Sequence, residues 1–113
     1  MKRYFQNWKN VEEVLNDFRT DAPLKDEEVL FAWYGYGDYC GDARVLFQRD
    51  GKLYEVSAGH CSCYGLEDQW NPTEVTWEQL AMRPVSEYRS YDDAGNEAKT
   101  AFAALINQHV PRA

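Results

Sequence analysis

Hydrophobic positions near the start of the chain recur at helical spacing. Val11, Val14, Leu15 and Phe18 fall at i, i+3, i+4 and i+7, which predicts a helix over 10–19 with one apolar face. Asn10 suits the N-cap, and Glu13, three residues on, is placed as its capping-box partner. Glu12 and Glu13 also favour the positive end of the helix dipole. Trp8 precedes the cap, where it can close over the apolar stripe, and Pro23 ends any helical continuation.

From residue 28 the period changes to two. Val29, Phe31 and Trp33 point to one side of a strand over 28–36, and Leu30, Ala32, Tyr34 and Tyr36 to the other. Both sides are apolar or aromatic, so this strand is expected in the middle of a sheet. Gly35, Gly37 and Gly41 with Asp38 and Asp42 mark a loop. A second strand over 43–49 meets Asp50-Gly51, a two-residue hairpin signal, and a third follows over 52–58. Thr76 and Gln79 have capping-box spacing for a short helix over 77–82, which Pro84 stops. Residues 85–91 offer a fourth strand. Ala98, Ala101, Phe102, Leu105 and Ile106 make an apolar stripe on a helix over 96–109.

Strands grouped between helices predict an α+β fold. The expectation is one domain, residues 1–113, with an antiparallel β-meander of three to four strands. The N- and C-terminal helices would pack on one face, and the other face would turn Tyr and Trp rings toward solvent or a partner.

Composition narrows the function classes. At 113 residues, 44% hydrophobic and 15% aromatic, the chain can bury a core of its own and is not disordered. A net charge of -7 argues against direct contact with nucleic-acid phosphates, which requires clustered Lys and Arg. The acidity fits either plain solubility or attraction to a basic protein. No apolar run is long enough to span a membrane, and the start turns polar too early for a signal peptide. Three cysteines, an odd number outside any secretory context, argue against a disulfide framework and for a reducing cytoplasm.

Candidate chemistry gathers at one end of the strands. Cys40, His60, Cys61 and Cys63 supply the soft ligands that a closed zinc site needs, and zinc is the one cofactor they suggest. Their spacing argues against it, since Cys61-x-Cys63 gives little curl and the adjacent His60 and Cys61 diverge. A cysteine nucleophile at Cys61 or Cys63 would need a nearby base. His60 points elsewhere in an extended chain, His109 lies on a distant helix, and Glu67 and Asp68 would disfavour a thiolate. The simplest reading makes Cys61 and Cys63 small buried apolar residues, with His60 bonded to a carbonyl or to Glu67. Tyr64 and Trp70 would then pack over the sheet end, with Gly65 turning the chain. The acids Asp26, Glu27 and Glu28 are expected in a solvated loop, and Gly35-x-Gly37 lacks the Lys and Ser/Thr of a phosphate loop.

The run His60-Cys61-Ser62-Cys63-Tyr64-Gly65-Leu66-Glu67, with Asp38-Tyr39, Gly41-Asp42-Ala43, Asp50 to Val56, Gln69-Trp70 and Pro72, resembles a family of small bacteriophage and prophage proteins. The resemblance covers about residues 28–83, and no settled activity comes with it. It implies an accessory protein made in a bacterial host cytoplasm, of the kind that binds and inhibits a host or phage protein. The function expected is therefore non-enzymatic binding of a protein partner. Tyr34, Tyr36, Tyr39, Tyr64 and Trp70 are the candidate anchors, with the acidic residues steering the approach.

Overall fold

The computed structural model describes residues 2–6, 8–35, 40–61, 64–82 and 93–110, with side chains of the last segment from residue 96. Among these, five strands form one sheet in sequential order. β1 (Tyr4–Gln6) pairs in parallel with β2 (Val29–Tyr34), while β2, β3 (Gly41–Arg49), β4 (Lys52–His60) and β5 (Thr73–Val75) are antiparallel neighbours. Helix α1 (Val11–Phe18) crosses between β1 and β2, and α2 (Trp77–Ala81) and α3 (Asp93–His109) follow β5.

The local signals act as their chemistry requires. Asn10 Oδ1 accepts the Glu13 N–H at 3.0 Å and so satisfies a donor at the start of α1, while Glu13 reaches back past the N-cap to accept the Lys9 N–H at 2.7 Å, not the Asn10 N–H that a capping box uses. The helix stops at Arg19, in left-handed backbone with φ 53°, before Pro23 has any part in it. Thr76 and Gln79 make the reciprocal capping box of α2. Asp50 and Gly51 both have positive φ, 55° and 77°, the conformation of a type I′ hairpin turn. That turn sets Arg49 opposite Lys52, and the ladder runs unbroken to Gly41 opposite His60.

Both sheet faces are covered. On one, α1 lays Val14 and Phe18, with Trp8, Leu24 and Leu66, over Val29, Ala32, Val45, Phe47 and Val56. On the other, α2 and α3 lay Leu80, Ala98, Phe102 and Ile106 over Phe31, Trp33, Leu46 and Leu53. The helices therefore do not share a face, and among the described residues both faces of the sheet are covered, so neither is left as a bare aromatic surface. The reason lies in β2. Its side chains are apolar on both sides, and Val29, Phe31, Ala32 and Trp33 are all buried, so each side needs its own cover.

The sheet is also larger than the meander expected. β1 and β5 have three residues each, too few to show a period, yet Tyr4, Phe5 and Val75 are buried. The fourth strand anticipated over 85–91 lies outside the described residues.

Candidate functional site

Register brings the chemistry together. β3 and β4 extend two residues further than alternation indicated, to Gly41 and His60, so Cys40 and Cys61 stand opposite each other at the next step of the ladder. Hydrogen-bonded and non-hydrogen-bonded pairs alternate along such a ladder, and the second kind brings the chains closer. The Cys61 N–H and C=O bond Tyr64 instead of Cys40, which makes Cys40 and Cys61 a close pair, with Cα atoms 4.0 Å apart. The two are joined by a disulfide. This corrects the expectation that the odd cysteine count leaves no bridge: two of the three pair, and Cys63 lies outside the described residues.

The bridge changes both chemical readings of the segment. Neither bonded sulfur is a thiolate, so the zinc set Cys40, His60, Cys61 and Cys63 is not assembled in this form, nor is Cys61 a free nucleophile. Among the described residues, no group of three or more His, Cys, Asp or Glu side chains converges on one point.

His60 serves the opposite face, as strand alternation demands of a neighbour of Cys61. Its ring is buried and stacks on Tyr34 with centroids 4.2 Å apart. Nε2 lies 2.7 Å from the Gly35 carbonyl, which can only accept, so Nε2 carries the proton. That bond ties the end of β4 to the end of β2. Gly35 also donates its N–H to the Asp42 carbonyl at 2.9 Å. A Cβ at Gly35 would come within 2.9 Å of that carbonyl oxygen and of the Trp33 ring, so only glycine allows the approach.

The residues after the bridge clamp the returning chain. Cys61 and Tyr64 exchange two backbone hydrogen bonds, 3.0 and 3.2 Å. Glu67 Oε1 accepts the Gly65 N–H at 3.3 Å, and backbone N–H donors hold its carboxyl below the usual range. Leu66 is buried in the core under α1. Gln69 bonds both the N–H and the C=O of Gly59 and also donates to the Gly65 carbonyl. Trp70 packs edge-on against Phe18 at 5.1 Å and stacks on Phe47 at 6.0 Å.

The five candidate anchors separate accordingly. Tyr34 is half-buried between His60 and the edge of Trp8, and Trp70 is half-buried on Phe18 and Phe47. Tyr64 is 50% exposed. Tyr36 and Tyr39 lie outside the described residues. Tyr64 is the backbone bridge partner of Cys61, next to the disulfide in the chain's path. Beside this end, Asn16, Asp17, Arg19, Tyr34, Gly65 and Glu67 line a polar cleft of about 270 Å³.

Two acids away from this end are structural. Asp26 accepts from Arg3 at 2.7 Å and from the Tyr4 hydroxyl at 2.5 Å, stitching β1 to the turn before β2. Burial, followed by the adjacent carboxylate, pushes the Tyr4 hydroxyl well above its ordinary value. Glu28 pairs with Arg49 at 2.9 Å as a brace between β2 and the hairpin, while Asp26 and Glu27 are exposed as expected.

The bridge was legible in principle. A two-residue turn fixes register, and counting outward from Asp50-Gly51 one residue at a time on both strands arrives at Cys40 opposite Cys61. Strand ends placed at Ala43 and Ala58 hid the pair.

No protein-family model matches the chain, and neither the curated proteins nor the solved structures include a significant match. None of the helices among the described residues is long and apolar enough to cross a membrane.

Proposed function

We propose that this chain is a non-enzymatic binding protein of phage or prophage origin, which holds a host or phage protein through the disulfide-closed end of its sheet. The observation that carries the reading is Tyr64. It is a large ring, half exposed, between residues that are fixed in place: Cys61 by the bridge and two backbone bonds to Tyr64 itself, Leu66 by burial, Gln69 by three hydrogen bonds. A rigid aromatic presented in this way loses little entropy on binding, the usual condition of an interface anchor.

The partner's surface is basic. With 19 acidic against 12 basic residues, the chain attracts positive surfaces at long range and speeds encounter with them. A nucleic-acid-binding protein of host defence, whose basic groove an acidic protein can occupy, is the instance that fits best.

The test is capture from an infected or lysogenic bacterium with wild-type protein and with Tyr64→Ala. The variant should lose the partner while its thermal unfolding stays that of wild type. Undiminished capture by a folded Tyr64→Ala protein would remove Tyr64 as the anchor and this reading with it.

A further inference from the structure

We infer that Cys40–Cys61 is a reversible dithiol–disulfide couple, opened and closed by thiols of the glutathione class on a sheet that stays folded, and that its state sets how firmly Tyr64 is held by its backbone pair with Cys61. The consequence for binding rests on the function proposed above; the couple itself does not.

Four features lead there. First, the sulfurs are held together by more than their own bond. The ladder from Arg49–Lys52 to Gly41–His60 keeps residues 40 and 61 opposite each other, so two thiols formed by reduction stay neighbours at high effective concentration. Secondly, neither cysteine is in the buried class, whereas a staple sunk in the core is shielded from an attacking thiolate. Thirdly, neither cysteine belongs to the two buried apolar clusters, and the bridge lies beyond the last ladder pair. Fourthly, Cys61 is bonded to Tyr64 through both of its backbone groups, so loosening Cys61 loosens Tyr64.

The exchange balances with external thiol alone. A thiolate attacks one sulfur of the pair, the Cys40–Cys61 bond breaks, and a mixed disulfide forms. The released cysteine thiolate takes a proton from water. A second thiol then attacks the mixed disulfide, freeing the other cysteine and leaving as the oxidised dimer of the reagent. Two electrons pass to the protein, and the oxidised reagent reverses both steps. His60, committed to Gly35 on the other face, takes no part.

The experiment uses the whole purified chain, equilibrated in buffers of graded reduced to oxidised glutathione, then quenched, alkylated and weighed. The bonded fraction should follow one two-electron curve, the same whether approached from the oxidised or the reduced side. Circular dichroism should report a folded protein throughout. Cys63→Ser should leave the curve in place. The Tyr64 amide, which donates to the Cys61 carbonyl, should exchange hydrogen at least about tenfold faster in the reduced protein and in the Cys40→Ser, Cys61→Ser double variant. Reduction only on unfolding, loss of the curve in Cys63→Ser, or a Tyr64 amide indifferent to redox state would each overturn the inference. Failure of Tyr64→Ala to lose the partner would instead defeat the binding reading and leave this curve untouched.

Discussion

The side chain of Gln69 stands against Gly59 as a strand would. Its carboxamide oxygen accepts the Gly59 N–H at 3.1 Å, and its nitrogen donates to the Gly59 carbonyl at 2.8 Å. These are the two bonds that an antiparallel neighbour supplies. β5 pairs β4 only from Leu53 to Glu55, so beyond that point the Gln69 side chain takes up the edge groups of Gly59 that would otherwise be open to another chain.

Gln69→Ala removes that closure and the bond to the Gly65 carbonyl. Each lost hydrogen bond to a partly buried group is worth about 1 kcal/mol, and water recovers part of it. Denaturant titration should therefore show a loss of about 1–2 kcal/mol. The Tyr64 amide should exchange faster as well, because the segment after the bridge loses its second anchor.

Cys40→Ser should destabilise the oxidised protein by about 3 kcal/mol, the chain-entropy value for cross-linking residues 21 apart. In excess dithiothreitol, wild type and variant should unfold at the same denaturant concentration. A difference that persists under reduction would mean that Cys40 contributes by packing and not by the bond.

Trp70 and Tyr64 sit on the same returning segment and should behave oppositely. Trp70→Ala leaves a void between Phe18 and Phe47 and should cost about 2–4 kcal/mol of stability. Tyr64→Ala, at an exposed position, should stay within about 0.5 kcal/mol of wild type. Thermal melts of the two variants side by side measure this directly.

Glu28 should shape the acid limb of stability. The Arg49 guanidinium, and after it the Lys25 backbone N–H, lower its carboxyl from an ordinary value of 4.5 to about 2. A folded-state value below the unfolded one stabilises at pH above the unfolded value and is lost as protons bind on the way down. The contribution is therefore complete above about pH 4.5 and disappears towards pH 2. Glu28→Gln should flatten the stability profile in that window, as measured by denaturation midpoints from pH 2 to pH 6. An unchanged slope would show that Arg49 pairs with Glu28 without favouring its charge.

Much of the architecture was readable one segment at a time. The α1 stripe with Asn10, the Thr76 capping box and the Asp50-Gly51 turn are each decided by a few adjacent residues, and each forms as its local chemistry predicts. The stripe of α3 was also visible, although the helix begins earlier, at Asp93. β1 and β5 were not readable, since three residues carry no periodicity and both are strands only because β2 and β4 lie beside them. At the site, the carbonyl bond of His60 and the packing of Trp70 over the sheet were anticipated, while the bridge and the burial of Tyr34 were not.

The order of residues by itself determined the local elements and one long-range relation, the hairpin register, because backbone dihedrals and side-chain alternation depend on near neighbours. Tertiary structure alone decided which helix covers which face, which aromatic rings the core consumes, and that Tyr64 remains outside. Those outcomes turn on competition for buried area among segments far apart in the chain, and no window of sequence contains both competitors.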